Sequence, residues 1–183
     1  MGQEEQNKIQ NLENRILGLE RKGIIDHQHN GFDTTKVDIQ DLNLNSNGSI
    51  YLDTNTTITV GVVDTWYEID SNFSKNIVQN SLFAGDHYLR VGQTGRYQIL
   101  ISASIQTGTA AQEVALSVMK NSAVIEASRE NGTISEIDKS VNIATNIQQN
   151  LTHGDQISSA VLNHADATDI VAEKVNISLF RIG

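Results

Sequence analysis

The chain has 183 residues, 38% of them hydrophobic, which is enough for one domain of ordinary size plus an appendage and too few for two large domains. A net charge of −9 runs against the clustered Lys and Arg that neutralise phosphates, so nucleic acid is not an expected partner. Cysteine is absent, which removes disulfides and thiolate metal sites, and no run of about 18 apolar residues occurs, so no membrane insertion is expected.

Residues Met1 to Gln10 are polar and lack the apolar core of a signal peptide, so export by the usual route is not expected. Ile9, Leu12, Ile16 and Leu19 then follow a 3-4-3 spacing, which places them at heptad positions a and d of a helix. In that register Lys8 and Arg15 occupy g and Glu13 and Glu20 occupy e, the opposite-charge pairing of a parallel coiled coil. An amphipathic helix lying on its own domain is the alternative. Two heptads are marginal alone, and Gly18 costs roughly 1 kcal/mol more, so a larger interface has to hold such a stem together. Gly23 stands where the next a residue belongs and ends the pattern.

Between Val37 and Leu52, short alternations (Val37/Ile39, Leu42/Leu44, Ile50/Leu52) flank the turn-forming cluster Asn45-Ser46-Asn47-Gly48-Ser49, as in the strands of a neck or hairpin. From about Ile58, period-two alternation dominates. Tyr97, Ile99, Ile101, Ala103 and Ile105 share one face, and Val114, Leu116 and Val118 share another. Lys120-Asn121-Ser122 reads as a hairpin turn, and further strands are expected over Val141 to Ile147, Ile157 to Leu162 and Val175 to Ile182. No helical pattern follows residue 25, so the expected fold is an all-β jelly-roll sandwich. The expected division is a coiled-coil stem over 1–23, a neck over 24–57 and a head over 58–183.

Gly95-Arg96-Tyr97, Met119-Lys120-Asn121-Ser122-Ala123-Val124-Ile125, Leu151-Thr152-His153-Gly154-Asp155-Gln156-Ile157 and Ile177-Ser178-Leu179-Phe180-Arg181-Ile182 occur in an order similar to that in tumour necrosis factor-like and complement-type heads. That resemblance spans roughly Gly61 to Gly183. It implies a homotrimeric jelly roll carried on a parallel stem, with the last strand inside the sandwich. The collagen-like stalk of the complement branch is absent, which points away from an animal immune role. The N-terminal part resembles structural proteins of tailed bacterial viruses, in which a short coil precedes a His-x-His segment. Here that segment is Asp26-His27-Gln28-His29-Asn30-Gly31-Phe32-Asp33.

Residues i and i+2 of an extended strand point to the same side, so His27 and His29 can both face a threefold axis. Three chains would bring six imidazoles, suited to octahedral coordination of a transition metal such as iron or nickel; the viral resemblance implies the same use. Solvated histidines paired with Asp26 or Asp33 are the alternative. Metallo-hydrolase chemistry lacks further ligands at definite intervals, no Gly-x-Ser-x-Gly elbow is present, and His153-Gly154-Asp155 reads as a turn. Loop carboxylates such as Asp166 and Asp169 follow no calcium motif.

The expected protein is therefore a non-enzymatic homotrimer of a virion. Its N-terminal region would attach to capsid or tail proteins, and its head would bind a host-surface glycan or receptor after assembly in the host cytoplasm. A tail fibre, a capsid decoration or head fibre, and a bacterial surface adhesin are the readings the residues leave open.

Overall fold

A computed structural model describes residues 46–79 and 82–183. The expected stem (Ile9, Leu12, Ile16, Leu19) and the His27/His29 pair lie outside the described residues. Thirteen strands form two antiparallel sheets. They are β1 Asn47–Leu52, β2 Thr56–Ile58, β3 Tyr67–Glu68, β4 Ser74–Gln79, β5 Leu82–Ala84, β6 Leu89–Val91 and β7 Gly95–Thr107, then β8 Gln112–Lys120, β9 Ala123–Val124, β10 Glu130–Ile134, β11 Ser140–Leu151, β12 Gln156–Asn163 and β13 Ile170–Arg181. A single 3₁₀ turn, Glu126–Ser128, is the helical element among the described residues.

The six-stranded sheet runs β11-β7-β13-β1-β4, with β2 beside β13; the seven-stranded sheet runs β10-β8-β12-β6-β5, with β3 beside β12 and β9 beside β8. From β6 to β13 the connections cross from one sheet to the other except along β8-β9-β10, the winding of a jelly roll. Alternation explains β7: Tyr97, Ile99, Ile101, Ala103 and Ile105 point inward and are buried, while Gln98, Leu100, Ser102 and Ser104 point out. Facing them across the core are Val114, Leu116, Val118, Ile157 and Val161 of the second sheet. As the resemblance implied, β13 lies inside its sheet, between β7 and β1.

Two expectations need correction. The cluster Asn45–Ser49 was expected to turn, yet Asn47, Gly48 and Ser49 are strand residues paired on both sides, with β13 and with β4. The cause is tertiary. Gly48 sits where an added Cβ would come within 3.1 Å of Leu82 Cδ1 and 3.4 Å of the Ile77 carbonyl, so a close backbone approach, rather than a turn, uses its missing side chain. Among the described residues the sandwich thus includes β1 and β2, which the expected division at residue 58 had left in the neck.

Candidate association surface

The two sheets treat their outer faces differently. In the seven-stranded sheet Ala115, Ser117, Met119, Ser158, Ala160 and Leu162 point away from the core and are nevertheless buried. The chain closes over them with its own segments: Ser117 Oγ donates to the Ile125 carbonyl, the Ser158 hydroxyl bonds Glu68, and the Trp66 indole N–H donates to Glu126 at 3.1 Å.

Nothing among the described residues covers the outer face of the six-stranded sheet in the same way. Its cross-strand rows read Asn47-Phe180-Gln98-Gln148, Ser49-Ser178-Leu100-Asn146, Tyr51-Asn176-Ser102-Ala144 and Lys174-Ser104-Asn142. Amides, hydroxyls and a few apolar side chains fill these rows, and Lys174 is the one formally charged residue in them. Glu173 is the extra residue at a register shift in β13. Its carboxylate reaches across the face to accept hydrogen bonds from Ser140 and, at 2.8 Å, from Ser104, and these hydrogen bonds hold its pKa below the ordinary value. Arg96, opposite Asn150 and bonded to Gln148 at 2.6 Å, is a further charge at the border of the face, so a chain of net charge −9 carries one sheet face whose few charges nearly balance. On it Tyr51, Leu100 and Phe180 are exposed, with Ile77 of β4 beside Ser49. A groove of about 590 Å³ runs between Tyr51, Asp53, Ser104, Asn142 and Lys174, and a second of about 300 Å³ lies beside Leu100, Ser102 and Asn146.

The other polar clusters are structural in arrangement. Among the described residues, no group of three or more His, Cys, Asp or Glu side chains is placed to hold a metal ion. His87 has Asp70 at 2.9 Å from Nδ1 and Glu68 at 3.5 Å from Nε2; the Nδ1 contact is an ion-pair distance without hydrogen-bond geometry. His164 bonds Asp64 through Nδ1 and touches Arg129 through Nε2. His153-Gly154-Asp155 is a turn, as its sequence indicates, with Gly154 at φ +94°. Asp155 points back to Lys120 at 2.8 Å, away from His153. Asp166 accepts from Gln112 and from the Thr168 amide, and Asp169 accepts from the Val60 amide.

No family model matches the chain, and no curated protein does. Solved structures with a similar course of chain include murine APRIL at pH 5.0, at 13% identity and a TM-score of 0.49, covering 74% of this chain and 99% of that one. The PRD1 vertex protein is similar at 15% identity and 0.49, covering 75% and 97%. The globular domain of the zebrafish complement 1qA protein is similar at 15% identity and 0.47, covering 73% and 94%. At these identities and superpositions the architecture rests on the strand pairings themselves. The open face could not have been found from the sequence, because amide and hydroxyl residues alternating with apolar ones look the same whether that side meets water or another subunit.

Proposed function

We propose that this chain is the non-enzymatic, homotrimeric head of a virion fibre, its copies meeting through the outer face of the six-stranded sheet. The observation that supports this most is the contrast between the two outer faces: one is sealed by the chain itself, and the other is open, with central rows free of charge and studded with Tyr51, Leu100 and Phe180. Depletion of charge with retained aromatic side chains is the composition of interface cores. The number three and the setting in a virion come from the resemblances in the sequence. A stem built on Ile9, Leu12, Ile16 and Leu19 would then run parallel, docking on capsid or tail proteins.

Light scattering tests the assembly. The expected mass is about 60 kDa, three times the 20.1 kDa chain; a mass near 20 kDa at micromolar concentration rejects the proposal. In the same assembly, His27 and His29 of three copies would be brought together and would suit iron or nickel. Elemental analysis checks this: metal should co-purify with the wild-type chain and be absent from the His27→Ala/His29→Ala variant.

A further inference from the structure

The described sandwich has two unlike ends. At one end β1 begins at Asn47 opposite Phe180, β7 begins at Gly95, and the turns 121–122 and 152–155 lie close by. The described part of the chain begins at this end, at Ser46. At the opposite end β7, β10 and β12 run out and β11 and β13 begin, so loops 59–66, 108–111, 135–139 and 164–169 gather together.

Three observations single out this far end. First, the two most exposed large hydrophobics among the described residues are both on it: Val62 at 61% and Ile137 at 57%, with Val63 beside Val62 at 39%. One such side chain is ordinary; three on the loops of one end of the sandwich are the pattern of a contact site.

Second, loops 59–66, 108–111 and 164–169 are tied down. The Val62 amide donates to Tyr67 Oη at 2.7 Å, the Asp64 amide to the Asn163 carbonyl at 3.0 Å, and Thr109 bonds Thr168 at 3.3 Å. Asp64, Ala111 and Asp138, one in each of three loops, hold φ at +58°. That left-handed conformation costs a non-glycine residue about 1 kcal/mol or more and persists where the surroundings impose it. Apolar tips on rigid loops lose little entropy on binding.

Third, the four loops contain Asp64, Glu136, Asp138, Asp166 and Asp169 against a single Lys139. The turns at the opposite end hold one carboxylate, Asp155, which is paired with Lys120.

Taking the chain to be a fibre head as above, we infer that this end docks on a protein, with Val62, Val63 and Ile137 entering apolar sites rimmed by Lys and Arg. The acidic rim selects a basic surround and disfavours an acidic glycan. Trp66, the one indole in these loops, is turned to the seven-stranded sheet's outer face, its N–H held by Glu126. Three copies projecting the same end would multiply a contact that is small in any one head.

The test uses fluorescently labelled full-length chain on a panel of bacterial strains, read by flow cytometry. Wild type should bind at least one strain. The Val62→Asp/Ile137→Asp variant should lose about tenfold or more in apparent affinity, while Phe83→Ser, remote on β5, retains it. Protease treatment of the cells should abolish binding, and periodate treatment should leave it. Equal binding by the aspartate variant, binding that survives protease and falls with periodate, or binding to no strain would each overturn the inference. Light scattering on the same samples keeps the two proposals apart: an intact 60 kDa assembly with unchanged binding rejects the docking surface alone.

Discussion

Asp155 joins three separated stretches of chain, its carboxylate tying the 152–155 turn to residues 120–121 and its main chain tying it to Val91. Oδ2 lies 2.8 Å from Lys120 Nζ and accepts from the Thr152 amide at 2.7 Å, Oδ1 accepts from Asn121 at 2.8 Å, and its own carbonyl accepts from the Val91 amide. Burial alone would raise its pKa, but the hydrogen bonds from Lys120, Thr152 and Asn121 outweigh it and hold the group at about 2, against the ordinary 3.8. A depressed carboxylate stabilises the fold above its unfolded value and loses that contribution as pH falls through the folded one, a term of about 2 kcal/mol here. Wild type should therefore lose thermal stability between about pH 4 and about pH 2, whereas Asp155→Asn should melt lower near neutral pH and change less across that window. Calorimetry at several pH values checks both. The turn around Gly154 was legible, because His-Gly-Asp after an alternating run is turn chemistry. The link to Lys120 was not, since nothing local records a partner on another hairpin.

Strand β8 illustrates how an element is completed by a side chain. Its neighbour β10 pairs with residues 112–116 and β9 with 119–120, which leaves Ser117 and Val118 between the two. Ser128 fills the gap: its buried Oγ accepts the Val118 amide at 2.8 Å and donates to the Ile125 carbonyl at 2.7 Å. Ser128→Ala should leave the Val118 N–H unpaired in a dry site and cost about 1–3 kcal/mol, measurable by urea unfolding with an unchanged m-value. Strands β7, β8, β11 and β12 were legible because long alternating runs with one buried face have few alternative explanations. Ser74–Gln79 and Glu130–Ile134 were not, since these polar outer strands owe their conformation to a neighbour's hydrogen bonds. The Asn47-Gly48-Ser49 stretch shows the same override, its turn-forming composition yielding to pairing on both sides.

For the molecule as a whole, the proposed assembly depends on keeping charge off one sheet. Ser102 lies in the middle of that face and is exposed, so a longer side chain fits the isolated chain without disturbing its core. Ser102→Glu would place three extra carboxylates at the meeting surface of a trimer. It should lower the mass from about 60 kDa toward 20 kDa, while Ser102→Ala leaves it unchanged. Both variants should keep the far-ultraviolet circular dichroism of wild type. The sandwich was readable from alternation, but which of its faces stays open is decided by where the Trp66 segment and the 3₁₀ turn come to rest, and by distances that local sequence does not record.

The position of β13 also constrains how the protein is made. It is the latest strand in the chain, yet it sits between β7 and β1, which have no other bond to each other in their sheet. Until a ribosome has delivered β13, the earlier strands of that sheet hold two unjoined halves with apolar edges exposed. Closure is therefore a late event that bridges distant parts of the polypeptide, and a nascent chain is at greatest risk of clumping just before it occurs. Loss of the final strand should yield insoluble protein, not a shortened head.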